Sequence, residues 1–210
     1  MLENVEVLYH SSIKIKGNKM IYIDPFKINK NSNDADLIFI THDHYDHYSE
    51  EDIDKIKNKD TIIVAPKDLL KKLLKKGIDQ NNIMLVEPEQ AYETKGIKFK
   101  TVSAYNIGKL FHPKGNNWVG YVIEIDGITY YIAGDTDLTE ESKKVSCDVA
   151  FVPVGGTYTM NYSEAAELIN HIRPKIAVPI HYGSIVGTKK DAENFINLLN
   201  EGIQGEILIR

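Results

Sequence analysis

The chain has 210 residues, 42% of them hydrophobic and 26% charged, with a formal net charge of −5. That is the composition of an ordinary soluble protein with enough chain to bury a core, and one domain over 1–210 is expected. It excludes a generally basic surface of the kind that binds nucleic acid.

The single cysteine, Cys147, rules out an intrachain disulfide and fits a reducing cytoplasm. The start does not read as a signal peptide, and no apolar run approaches the ~20 residues needed to cross a bilayer. A cytoplasmic location is therefore expected.

In chain order, Val5–Tyr9 and Ser12–Lys16 are short and rich in β-formers, Gly17-Asn18 is a turn signal, and Met20–Ile23 resumes the strand before Asp24-Pro25 ends it. Residues 37–40 are a continuous apolar run, the pattern of a strand buried on both faces. Ser49 reads as a helix N-cap, followed by Glu50, Glu51 and Asp52 in the first turn, with Ile53 and Ile56 facing inward. A strand over 61–65 precedes a helix beginning at Pro66, striped by Leu69, Leu70, Leu73 and Leu74 and stopped by Gly77. The lysines at 71, 72, 75 and 76 fall on its solvated face.

Strands follow over Ile83–Val86 and 97–102, then over Val119–Ile125 and 128–133, the last two joined by the hairpin signal Asp126-Gly127. The remainder alternates strand 149–154, helix 163–172, strand Ile176–Ile180 and helix 190–199, and 207–209 closes the chain. Strands early and strand–helix alternation late predict two sheets covered by helices.

His42-x-His44-x-Asp46-His47 directly follows the buried strand. Imidazole nitrogen and carboxylate oxygen suit zinc and other first-row metals. A tight turn there would let 42 and 44 serve one ion and 46 and 47 a neighbour. Asp135 and His181 each lie just past the end of an apolar strand, as His42 does, where sites are commonly built.

With these residues in place, the chain resembles the metallo-β-lactamase-fold hydrolase superfamily. The resemblance is carried by His42-Asp43-His44-Tyr45-Asp46-His47, Gly134-Asp135-Thr136 and Ile180-His181-Tyr182. Within it, His10-Ser11-Ser12, Asp24-Pro25 and Pro153-Val154-Gly155-Gly156-Thr157-Tyr158 look most like the small branch of ascorbate-6-phosphate lactonase-like proteins.

The resemblance implies an α/β fold of α+β type, a four-layer αββα sandwich of two mixed sheets covered by helices. It implies two divalent metal ions, zinc foremost with manganese or iron as alternatives. The first ion would take His42 and His44, the second Asp46, His47 and His181, with Asp135 bridging. The usual third histidine of the first ion is missing after the 97–102 strand, where Ser103-Ala104-Tyr105-Asn106 stands. His112 is expected to fold back into that place, with Asn106 as the alternative. His10 and Asp46 are the candidate catalytic residues, His10 lying close to the metals without binding them.

Two adjacent metals can hold one hydroxide and present it to an ester, lactone or phosphoester bond of a small molecule. Lys109, Lys114 and Arg173 are candidates for recognising an anionic substrate. Nucleic acid and membrane partners are not expected, and a homo-oligomer is compatible with the sequence. A non-hydrolytic member of the fold, either a diiron redox protein or a metal-binding protein without catalysis, is the competing reading. His44, standing where the flavin-linked diiron branch has glutamate, argues against the former.

Overall fold

The computed structural model describes residues 1–209, and the chain forms two compact units, Met1–Glu87 and Pro88–Arg210. Each is built around its own mixed sheet.

The first unit contains β1 (Val5–Tyr9), β2 (Ser12–Lys16), β3 (Met20–Ile23), β4 (Leu37–Phe39), β5 (Ile62–Pro66) and β6 (Ile83–Val86), lying in chain order across the sheet. The first three pair antiparallel through short turns, and β3 to β6 pair parallel. Parallel neighbours need crossovers. Helix α1 (Glu50–Ile56) links β4 to β5, and α2 (Leu70–Lys75) links β5 to β6.

Ser49 caps α1, its hydroxyl accepting from the Asp52 amide, and Ile53 and Ile56 are buried as expected. The second helix starts later than the sequence suggests, because Lys67–Leu69 form a 3-10 turn first. Its stripe is narrower too: Leu69 and Leu73 are buried, while Leu74 is largely exposed. The core on the helix side gathers Ile38, Ile40, Ile53, Ile56, Ala65 and Leu73.

The second unit contains β7 (Ala91–Thr94), β8 (Ile97–Ser103), β9 (Val119–Ile125), β10 (Ile128–Ile132), β11 (Val149–Pro153), β12 (Ile176–Ile180) and β13 (Gln204–Gly205), again in chain order across the sheet. Strands β7 to β10 are antiparallel and β10 to β13 parallel, with α3 (Tyr162–Ile172) and α4 (Lys189–Asn197) as the last two crossovers. Asp126 and Gly127 both take positive φ, as a two-residue hairpin turn requires. Asn161 and Glu164 form a capping box that starts α3.

Two sequence expectations shift. Strand β7 was not anticipated. The closing strand is Gln204–Gly205 rather than 207–209, because those two residues pair with Ile176 and Ala177. Cys147 packs against the α3 and α4 core, and burial pushes its thiol up to about 12, which fits a packing role.

This strand order puts chemistry at one edge of each sheet. In the first unit β1, β3 and β4 run in the same sense, so His10, Asp24 and the loop 41–47 all emerge at the end where those strands finish. In the second, β8, β10 and β12 run in the same sense, so the loop after β8, Asp135 and His181 share an edge. Strand C-terminal ends are the usual place for sites in such sheets.

Candidate metal centre

In the first unit the segment after β4 turns sharply instead of staying extended. The His44 carbonyl accepts from the amides of His47 and Tyr48 at 3.0 and 2.7 Å. The turn gathers the imidazoles: ring centroids lie 4.7 Å apart for His42 and His44, edge to face, and 4.0 Å apart for His42 and His47, tilted. His42 Nε2 and His44 Nδ1 converge to 3.2 Å. His47 Nε2 lies 3.5 Å from Asp46 Oδ2, and His10 Nε2 lies 3.6 Å from the same oxygen.

The orientation of these rings traces to Asp24, which the sequence marked as a strand end and as part of the resemblance but not as a site residue. Its carboxylate is 1% exposed and accepts three hydrogen bonds. The Thr41 amide donates to Oδ1 at 2.8 Å, the Thr41 hydroxyl to Oδ2 at 2.7 Å, and His47 Nδ1 to Oδ2 at 2.7 Å. Burial pushes the Asp24 carboxyl above its ordinary value, against the pull of His47 and Thr41. With the Thr41 hydrogen committed to Asp24, its oxygen can only accept at 2.9 Å from His42 Nδ1. Both His42 and His47 therefore carry their proton on Nδ1 and offer the Nε2 lone pair. Such outer carboxylate–histidine contacts fix the tautomer of metal-binding histidines.

In the second unit, His112 reaches the edge from the β8–β9 loop. Its Nε2 lies 3.3 Å from Asp135 Oδ2, and His181 Nε2 lies 3.1 Å from that same oxygen. Asn106 sits behind His112. Its Oδ1 accepts from the His112 amide and from Nδ1, both at 3.1 Å, and its Nδ2 donates to the Tyr158 carbonyl and to Asp137. Of the two candidates for completing this side, His112 sets its Nε2 beside Asp135, and Asn106 hydrogen-bonds its amide and Nδ1.

His10, Asp24 and His181 all adopt positive φ (49°, 45° and 58°), a left-handed backbone that non-glycine residues rarely take outside constrained sites. The loop that delivers His112 is pinned by Lys109, whose ammonium donates to Asp137 Oδ1 at 2.6 Å and to the Thr159 carbonyl at 2.8 Å. Lys114 pairs with Glu141 at 2.8 Å, and Arg173 caps the end of α3 and donates to the Glu201 carbonyl. These three cations are thus engaged within the second unit. Trp118 packs edge-on against the His112 ring and is buried.

The donor set fits divalent cations. Within the first unit the pairs His42–His44 and His10–Asp46, and within the second the pairs His112–Asp135 and Asp135–His181, offer ligand atoms within 4.8 Å of each other. At His112 and His47 an imidazole nitrogen and a carboxylate oxygen, both able to ligate a cation, lie 3.3 and 3.5 Å apart.

The sequence profile of the Beta-lactamase superfamily domain matches residues 4–181. A UPF0173 metal-dependent hydrolase of Thermococcus onnurineus is 32% identical over 98% of this chain and 95% of its own length. The chain belongs to the UPF0173 metal-dependent hydrolases of the beta-lactamase superfamily. Another member, from Thermoplasma acidophilum, is 31% identical over 92% of this chain and 90% of its own length. The crystal structure of a putative metal-dependent hydrolase from Parabacteroides distasonis superimposes with a TM-score of 0.82 at 30% identity, covering 98% of this chain and 93% of that one. The two mixed sheets with flanking helices are those of the metallo-β-lactamase fold. Among the described residues, no helix is long and apolar enough to cross a membrane.

Proposed function

We propose that this chain is a hydrolase with two metal ions, zinc foremost, acting on an ester, lactone or phosphoester bond of a small molecule. His42, His44 and His112 would hold the first ion. Asp46, His47 and His181 would hold the second, with Asp135 shared. The observation that carries the reading is Asp135 Oδ2, a single carboxylate oxygen within 3.1 and 3.3 Å of two imidazole nitrogens. That is the geometry expected of a carboxylate serving two cations. Family membership supports the hydrolytic class.

Bound metals would lower the pKa of water towards ~7 and polarise the scissile C=O or P–O bond. The chain's own residues do the rest. Asp24, through His47 and Thr41, sets which nitrogens carry the proton, and Asn106 does the same for His112. His10 Nε2 stands 3.6 Å from Asp46 Oδ2, next to the ligand set, where it would face bound substrate. A histidine at position 44, rather than a carboxylate, favours zinc over a diiron redox centre.

Elemental analysis of protein purified without chelator tests the reading, with wild type and His112→Ala side by side. Two zinc ions per chain, falling towards one in the variant, is the expected result. No metal in the wild type, even after zinc or manganese is added back, would overturn it. Two iron atoms in a coloured protein would move it to the redox reading.

A further inference from the structure

Beside the metal-ligand candidates of the first unit stands a row of aromatic rings that the hydrolytic chemistry does not use. Tyr45 lies within the ligand motif, between His44 and Asp46, and is 67% exposed. Its ring meets Phe26 edge to face at 5.9 Å, and Phe26 meets Tyr9 edge to face at 5.8 Å. Tyr9 in turn lies 6.5 Å from the ring of His10. The row therefore begins and ends next to candidate site residues. Lys27 sits at the Tyr9 end, its ammonium 4.5 Å from the Tyr9 centroid and 5.7 Å from that of Phe26, and it donates to the Tyr9 hydroxyl at 3.1 Å.

The row is built rigidly. The Phe26 amide donates to the Ser12 hydroxyl at 3.2 Å, and the Lys27 and Ile28 amides donate to the two carboxylate oxygens of Asp52 at 2.8 and 2.9 Å. Asp52 belongs to α1, so one clamp ties the loop of Phe26 to the helix that directly follows the turn carrying Tyr45. Lys27 holds a left-handed backbone, φ 53°. A single exposed aromatic residue is ordinary on a protein surface. Three in series, Tyr9 on Phe26 and Phe26 on Tyr45, fixed by part-buried hydrogen bonds and adjoining candidate site residues at both ends, make a preorganised apolar wall, which is how binding sites reduce the ordering cost of a ligand.

We propose that the Tyr9–Phe26–Tyr45 wall is the subsite for a flat apolar ring of the substrate, lying next to the bond that is cleaved. The inference rests on the hydrolase reading above and names the substrate class: an ester-like molecule carrying an aromatic ring close to its scissile group. Tyr45, 67% exposed, offers the accessible end of the wall to a further aromatic group, and aromatic contacts add to plain area burial.

The test compares two hydroxamates on zinc-loaded protein by calorimetry: acetohydroxamate, which offers only the metal-binding group, and 2-naphthylacetohydroxamate, which adds a flat ring. Wild type should bind the naphthyl compound about tenfold more tightly or better, from the apolar area covered. In Tyr45→Ala and Phe26→Ala that ratio should fall to about threefold or less, and Tyr45→Phe should restore it, because the ring face rather than the hydroxyl is used. A wild-type ratio near one, or a ratio unmoved in both alanine variants, would overturn the wall. If acetohydroxamate itself fails to bind, the metal reading falls. The wall is then judged on the naphthyl compound alone: binding to wild type and loss in Tyr45→Ala support it, and no binding overturns it.

Discussion

Replacing Asp24 by asparagine changes one buried oxygen into an NH2 group and should rewrite the proton positions of two histidines. In the native protein Oδ2 accepts from both the Thr41 hydroxyl and His47 Nδ1, each at 2.7 Å. With Nδ2 in that place, three donors meet and no acceptor remains. The arrangement is relieved only if His47 moves its proton to Nε2 and accepts at Nδ1. The Thr41 hydroxyl must likewise accept from the new amide and turn its hydrogen towards His42 Nδ1, pushing the His42 proton to Nε2 as well. Both lone pairs offered to metal are then lost. Loss of such outer-sphere support costs about 10–100-fold in metal affinity. The apoprotein should lose about 1–3 kcal/mol of stability for the disturbed buried hydrogen bonds. Competition with a chromophoric chelator gives the zinc affinities, nitrogen-resolved imidazole NMR gives the tautomers, and thermal unfolding of the apoprotein gives stability. An Asp24→Asn protein with wild-type zinc affinity and both protons still on Nδ1 would refute the assignment of Asp24 as the residue that sets these rings.

Two further predictions concern the scaffold of the second unit. A methyl group at Gly120 would meet the backbone oxygens of Ala133 and Ile132 at 2.6 and 2.7 Å, so Gly120→Ala should destabilise by about 1–3 kcal/mol and displace the strand end that leads to Asp135; chemical denaturation measures the first, and an unchanged unfolding midpoint would contradict it. Asp148 accepts from the Thr129 amide and hydroxyl and from Lys175 at 2.7 Å, which lowers its carboxyl from the ordinary 3.8 to about 2. A depressed folded-state value stabilises above the unfolded one, so this contribution, about 1 kcal/mol after solvent screening of Lys175, is full above about pH 4 and lost as the pH falls through about 2; Asp148→Asn should flatten that part of the acid-unfolding profile, and an identical profile would refute it.

The strands and most helix limits were legible in the sequence because apolar runs and alternation are local properties. The histidine-rich turn was legible for the same reason. Asp24 was not, although it governs that turn. Its role arises from the parallel pairing of β3 with β4, which sets the Asp24 amide 2.9 Å from the Phe39 carbonyl and the carboxylate beside Thr41. In sequence it is a strand-ending Asp-Pro and one motif of the resemblance, with no sign of its hydrogen-bond partners. The resemblance led to the expectation that the 106–117 loop folds back with His112, whose Nε2 lies 3.3 Å from Asp135, while the hydrogen bonds from Asn106 to His112 emerged only from the loop geometry. Strand β7 escaped notice because Ala91 and Glu93 are poor strand formers and only Tyr92 and Thr94 carry the pattern. Conversely, the apolar residues of 207–209 suggested a strand that the register of β12 assigns to Gln204 and Gly205 instead.

The two units gather their candidate ligands in different ways. The first draws four of them from one short turn, so it can present nitrogen and oxygen donors once β3 and β4 have paired. The second draws His112, Asp135 and His181 from three loops far apart in the chain, and each is placed only when β8 to β12 have all found their register. A cation arriving during synthesis on the ribosome would meet the histidine turn first, long before His181 has been made.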